Sequence, residues 1–216
     1  MKPILEVFVF SNGSACLEHC MKAIREQRLS CKVTKVNKTP LTKAMKYCTK
    51  NATCKFFAKL DDDMFLHPAA LAFYDYYLRR NHTLAMFGCR LFDFRTRISI
   101  QSFKAYNTKV SGKIGFRADE KSRIDRVFLH ELKVRRLGYY IDDWSVVGIH
   151  AHRSIADQEL IRSVWSKDGN NRGRRVGGNP VDYESQYNLV GKLLKLGIKS
   201  SGGRRGRFVR FVKEHC

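Results

Sequence analysis

The run Lys55-Phe56-Phe57-Ala58-Lys59-Leu60 leads into three consecutive carboxylates, Asp61, Asp62 and Asp63. The apolar run predicts a short buried strand. Pro68, a little further on, predicts the opening of a helix, where its missing N–H would be unpaired in any case. In an open α/β sheet, ligands bind beyond the carboxyl ends of the strands. Three adjacent carboxylates repel one another. A divalent cation is the usual reason to hold them together, because hard oxygens bind Mg2+, Mn2+ or Ca2+. On extended backbone, Asp61 and Asp63 share one face while Asp62 takes the other. The structural alternative is a solvated acidic loop capping the next helix.

The chain on either side repeats a strand–helix alternation. Residues 4–10 are rich in Val, Ile and Phe and predict a first buried strand, with a turn at Ser11-Asn12-Gly13 and Ser14 as an N-cap. Leu17, Cys20, Met21 and Ile24 recur at helical spacing. A second strand over 31–36 and a helix opened by Pro40 follow, with Leu41, Ala44, Met45 and Cys48 on one face. Strand, helix, strand, helix, strand is the signature of a parallel sheet covered by helices. Beyond Pro68 the pattern predicts a bulky helix, a strand over 84–92 and a half-buried, antiparallel strand at 98–102. Next come a short helix with a turn within 104–116 and a helix from Ile124 that stops near Gly138. A brief strand follows over 139–141, and a final one over 145–152 carries His150 and His152. The remainder reads as a helix over 155–165, a mobile loop over 166–180, a helix over 183–196 and a basic tail from Lys199.

The 216 residues suffice for one domain with a full core, and 44% are hydrophobic. No apolar run approaches the roughly 20 residues of a membrane span. The chain start lacks a signal-peptide pattern, so the expected location is cytoplasmic, with peripheral membrane association through the tail. The net charge of +21 favours anionic partners. The seven Cys form no metal-type spacing and are expected to be reduced and mostly buried. Trp144 and Trp165 are expected to pack in the core.

These features together resemble the GT-A fold nucleotide-sugar glycosyltransferases, nearest to the family-two-like inverting enzymes. The resemblance covers residues 4–152. It rests on the opening strand with Ser11-Asn12, the Pro40-Leu41 helix start, the strand into Asp61-Asp62-Asp63, the segment from Asp125 to Gly138-Tyr139, and the strand end Gly148-Ile149-His150. It implies a fold of α/β class, with a central, mostly parallel sheet flanked by helices. Residues 1–152 would be the catalytic core, and 153–216 would complete the same domain. The family's Asp-x-Asp motif falls on Asp61 and Asp63, which implies a divalent cation, Mn2+ or Mg2+, between these carboxylates and the donor diphosphate. A late histidine joins the metal in many members. His150 and His152 are both placed for this, and His150 is preferred because it ends the apolar strand. Ser11, Asn12 and Asn37 stand where the family contacts the nucleotide. Asp62 would touch the ribose or face solvent. Lys59, Arg117 and Arg123 are candidates for phosphate.

An inverting transfer needs a base for the acceptor hydroxyl. The family's acidic pair at a helix start is replaced here by Ile124-Asp125-Arg126, with Asp119-Glu120 upstream. Asp125 is the first choice. Glu131 and His130 lie too far into the helix. The expected partners are a nucleotide-diphosphate sugar and a glycan or lipid-linked saccharide acceptor. The charge also leaves a metal-dependent nucleic-acid enzyme or binding protein as the alternative, although no zinc, helix-turn-helix or RNA-binding signature accompanies it. In the tail, Phe208 and Phe211 with Val209 and Val212 predict a helix with an apolar strip among basic groups. Such a strip suits either an anionic membrane surface or the body of the domain.

Overall fold

The computed structural model describes residues 3–117, 124–151, 182–192 and 206–216. Strand β1 (Leu5–Ser11) is buried along its whole length, as an almost unbroken apolar run requires when both faces are covered. Its one acid, Glu6, is fully buried, with Oε1 hydrogen-bonded and Oε2 met only by an ion pair. It accepts the N–H groups of Thr53 and Cys54 and pairs with Lys32 at 3.4 Å.

Helix α1 (Cys16–Arg25) begins where Ser14 Oγ accepts the Cys16 N–H. Then come β2 (Val33–Asn37), α2 (Leu41–Asn51) and β3 (Phe56–Asp61). Both β2 and β3 pair with β1 in parallel, so these carboxyl ends lie together. The chain continues through β4 (Met64–Leu66), α3 (Ala70–Arg80), β5 (Met86–Asp93), β6 (Ser99–Asn107) and α4 (Thr108–Ile114). After α5 (Ile124–Val134) comes β7 (Tyr139–His150). Helix α6 (Tyr183–Asn188), a 3-10 turn (Val190–Lys192) and α7 (Arg207–His215) complete the described elements.

The seven strands form one sheet in the order β2-β1-β3-β6-β5-β7-β4. Strands β1, β2, β3, β5 and β7 run one way, and β6 and β4 run against them. One face is covered by α1, α3, α6 and α7 over a core built on Leu5, Phe73, Tyr74 and Phe87. The other carries α2, α4 and α5 over Phe8, Phe57, Tyr106 and Phe128. Of the seven cysteines, Cys16, Cys20, Cys48 and Cys89 are buried, and none of the seven forms a disulfide.

Several expectations change. The Asp cluster does not lead straight into a helix, because β4 intervenes and α3 opens two residues after Pro68, at Ala70. Only Asp62 and Asp63 separate β3 from β4, yet β4 lies at the far edge of the sheet beside β7. The sheet must therefore curl so that the carboxyl end of β3 meets that edge. The two short strands expected at 139–141 and 145–152 are one strand, β7, with irregular pairing to β5. Trp144 is 39% exposed and is not a core residue.

The tail helix α7 is packed, not free. Phe208 is fully buried and Phe211 nearly so, against Phe73, and His67 meets Phe208 edge-on. Burying a Phe side chain contributes about 2–3 kcal/mol, which a bilayer would have to match before these rings could leave. The apolar strip therefore belongs to the domain, and insertion of its rings into a membrane is corrected. Among the described residues, no helix is long and apolar enough to cross a membrane. The expected helix over 155–165, the loop over 166–180, Trp165, His152, Asp119, Glu120 and Arg123 lie outside the described residues.

Candidate active site

The carboxyl ends of β1, β2 and β3 gather most of the expected site residues. Ser11 stands opposite Asn37 in the β1–β2 pairing, and Phe10 stands opposite Asp61 in the β1–β3 pairing. Asn37 is exposed at this edge, and Ser11 and Asn12 are buried. The turn after β1 is fixed from within. Ser11 Oγ accepts the Gly13 N–H at 3.1 Å, and the Ser11 carbonyl accepts the Lys38 N–H at 2.8 Å.

The three carboxylates take three different roles. Asp61, at the end of β3, is paired with Lys59 at 2.5 Å. Asp62 is fully buried. Its N–H donates to the Phe10 carbonyl, and its carboxylate accepts the Asn12 N–H at 3.2 Å. It does not face solvent; it ties the β1 turn to the β3 end. Asp63 is 5% exposed and lies against His150, with Oδ2 3.3 Å from Nε2. Asp61 and Asp63 thus stand two residues apart and face different partners, Lys59 and His150. Beneath the cluster, Cys20 is held as a thiol by burial and by the charges of Asp62, Asp63 and Asp61, so it is no nucleophile.

His150 reaches Asp63 because β4 pairs with β7 in a register that sets Met64 opposite His150. The register is tight. A Cβ on Gly148 would stand 2.5 Å from the Phe65 carbonyl oxygen, so the close approach needs glycine there. On the other side of the ring, Nδ1 lies 2.9 Å from Asp93 Oδ2. Asp93 ends β5, directly opposite His150 in the β5–β7 pairing. Burial disfavours the imidazolium, but Asp63 and then Asp93 outweigh it and push the pKa up to about 10. For Asp93, burial works upward, yet the bonds from His150 and Thr96 hold its carboxyl far below the usual range.

Asp125 lies in the first turn of α5, and its carboxylate accepts from Lys104 Nζ at 2.8 Å. Lys104 is buried on β6 and stands opposite Lys59 in the β3–β6 pairing. Burial would raise the Asp125 pKa, but Lys104 and then Lys59 lower it. Two lysines therefore sit side by side, one held by Asp61 and the other by Asp125. Arg117 pairs with Glu131 at the surface.

A carboxylate–imidazole–carboxylate row is the arrangement in which a metal-binding histidine is oriented by an acid on its distal nitrogen. Asp63 and His150 Nε2 have the donor chemistry for Mn2+ or Mg2+, and Asp93 is the orienting acid. The ring carries a proton between the two acids, and a cation would replace it. Among the described residues, no three or more such groups form a ready metal cluster, since Asp61 is turned to Lys59. The residues fit a cation held by two protein ligands and completed by diphosphate and water, as Mg2+ prefers. Sequence reasoning missed Asp93 and Lys104. The only signal was an acid at the end of β5 and a lysine interrupting the apolar side of β6.

No protein-family profile and no curated protein matches the chain. Solved structures do. TarS of S. aureus, residues 1–349, aligns with a TM-score of 0.56 at 15% identity over 76% of this chain and 64% of that one. The same protein in complex with UDP-GlcNAc aligns with a TM-score of 0.55 at the same identity. The mannosyltransferase PcManGT from Pyrobaculum calidifontis, in complex with GDP-Man and Mn2+, aligns with a TM-score of 0.55 at 13% identity over 90% of this chain and 70% of that one. The chain thus spans just under two thirds of the TarS fragment. The sheet order, the curl and these likenesses agree: the chain has the α/β GT-A fold.

Proposed function

We propose that this protein is a cation-dependent glycosyltransferase that moves a sugar from a nucleotide-diphosphate donor to a hydroxyl of a glycan or lipid-linked saccharide, with inversion. The observation that carries the reading is the Asp63–His150–Asp93 row at the carboxyl ends of the strands, beside the Ser11, Asn12 and Asn37 edge. The solved relatives with UDP-GlcNAc and with GDP-Man and Mn2+ support a donor of this class.

Ser11, Asn12 and Asn37 would take the nucleoside at the β1–β2 edge, and Asp62 would keep that turn in place. Asp63 and His150 would hold the cation, with Asp61 joining on release from Lys59. When bound, a divalent cation offsets the charge that develops on the leaving diphosphate. Lys59, released in turn, is placed to meet the same charge. The acceptor oxygen forms its bond to the anomeric carbon as the bond to the diphosphate breaks, and the hydroxyl proton passes to Asp125. Lys104 keeps Asp125 ionised, the state that accepts a proton. It also weakens Asp125 as a base, so transfer belongs late, when bond formation has made the hydroxyl strongly acidic.

Differential scanning of the protein with UDP, GDP, ADP and CDP, each with and without Mn2+, tests the reading. Stabilisation by one nucleotide that depends on the cation supports it. No stabilisation by any of them, with or without cation, contradicts it.

A further inference from the structure

The charge of this chain is unevenly placed. The 34 residues from Gln27 to Leu60 hold nine Lys or Arg and no Asp or Glu, and the 25 residues from Phe94 to Ala118 hold six and none. Both acid-free segments contribute a helix to the same face of the sheet, α2 from the first and α4 from the second. The two helices touch, for a Cβ on Gly112 would lie 3.7 Å from Thr49 Cγ2.

Helix α2 buries Ala44, Met45 and Cys48. Its opposite side carries Lys43, Lys46 and Lys50, which helical geometry gathers within an arc of about 60°. All three are exposed. Helix α4 adds Lys109 and Lys113, one turn apart on one side and also exposed. None of the five makes an ion pair with another described residue. Tyr47 stands among them, 46% exposed, with its ring steadied edge-on against Phe8 at 6.4 Å. An uncompensated row of like charges costs self-repulsion, and a steadied, half-exposed ring offers a flat apolar face. Both features call for the same kind of occupant, a flexible anion with apolar ring faces.

The position of the row narrows that occupant. Helix α2 starts just after Asn37, at the edge where the nucleoside would lie, and leads away from it. From Lys43 to Lys50 it covers about 10 Å, and Lys109 and Lys113 widen the far end. A chain lying on α2 would bring one end to the candidate active site. The row is all lysine. It therefore offers point charges and lacks the planar guanidinium forks that favour nucleic acid.

We propose that the outer face of α2 and α4 is a binding track for an anionic polysaccharide that serves as the acceptor. The acceptor role rests on the transferase reading above; the binding itself does not. The test uses the full chain with Lys43, Lys46, Lys50, Lys109 and Lys113 changed to Gln. A charge-matched control has Arg25, Arg80, Arg207, Arg210 and Lys213, on helices of the opposite face, changed to Gln. Binding to fluorescent heparin oligosaccharide and to an oligothymidylate of equal charge is measured at one moderate salt concentration. Nucleotide binding with Mn2+ and the melting curve are followed in parallel.

The track predicts that the five-site variant loses about tenfold or more in polysaccharide affinity. It should keep the wild-type melting curve and nucleotide binding, and the control should change less than threefold. Equal losses in variant and control would make the binding a matter of net charge and overturn the track. So would tighter binding of the oligothymidylate than of the polysaccharide by the wild-type protein. Should the five-site variant melt early, Lys43→Gln with Lys46→Gln alone must still weaken polysaccharide binding, or the track is wrong. If the lysines bind polysaccharide while the wild-type protein binds no nucleotide, the acceptor role falls with the transferase reading.

Discussion

His150 is held between two acids, 3.3 Å from Asp63 of the β3–β4 turn on one ring nitrogen and 2.9 Å from Asp93 at the end of β5 on the other. The β4–β7 register supplies the first contact and the β5–β7 register the second. Asp93 thus sets which nitrogen faces Asp63, and in the proposed cation site it would orient the ring without being a ligand. Asp93→Asn is expected to weaken Mn2+-dependent nucleotide binding by about 10- to 100-fold, the usual cost of losing an orienting acid. Titration of Mn2+ at saturating nucleotide reads this directly. Unchanged Mn2+ affinity would remove Asp93 from the site.

Asp125 and Lys104 form a second pair, at 2.8 Å. If Asp125 receives the acceptor proton, Asp125→Asn should lower turnover by about 100-fold or more and leave donor affinity nearly unchanged. Lys104→Met removes the cation that holds the Asp125 pKa down. The acid limb of the rate profile should then move to higher pH. A profile that stays in place would mean that Asp125 does not titrate in the rate.

His67 gives the fold a pH dependence of its own. Burial, and then Arg28, lower its pKa to about 4. Its Nδ1 accepts the Ala69 N–H. A folded-state pKa below the unfolded value of about 6.5 means that the unfolded chain binds the proton first. Stability is therefore full above about pH 6.5 and is lost as pH falls towards 4, with a ceiling of about 3 kcal/mol. Urea unfolding at pH 7 and pH 5 should show this loss, and it should shrink in His67→Gln. An equal loss in the variant would place the titration elsewhere.

Helix α7 is anchored at its start. The Phe208 N–H donates to Ser145 Oγ at 2.9 Å, and Ser145 Oγ donates to the fully buried Asp142 at 2.7 Å. A Cβ on Gly206 would stand 2.0 Å from the Trp144 carbonyl oxygen. Phe208→Ala is expected to cost about 3–5 kcal/mol, and Gly206→Ala should also lower the melting temperature. Removal of residues 202–216 should destabilise the domain. A truncated protein that melts like the full chain would show that α7 is dispensable.

The first half of the fold was legible because apolar runs and helical spacing alternate cleanly from Leu5 to Asp61. The carboxyl-end rule pointed to the Asp cluster, and the family resemblance added Ser11, Asn12 and Asn37 beside it. β4 was missed because three residues, Met64–Leu66, carry no periodicity, yet it is the strand that delivers Asp63 to His150. Asp93 was missed because its role depends on a pairing between strands far apart in sequence. The tail was legible as a helix but not as a packed one, since Phe208 and Phe211 look the same whether protein or lipid covers them. Trp144 went the other way, a large apolar residue left at the surface beside the α7 anchor.

In the proposed site, Asp63 and His150 hold the cation that binds a nucleotide diphosphate. The most direct measurement is the Mn2+-dependent thermal shift with UDP and GDP, in the wild-type protein and in Asp63→Asn. The wild type should show a shift that requires Mn2+ and disappears in Asp63→Asn, while the variant without nucleotide still unfolds in one cooperative transition. A Mn2+-dependent shift of wild-type size in Asp63→Asn would contradict it.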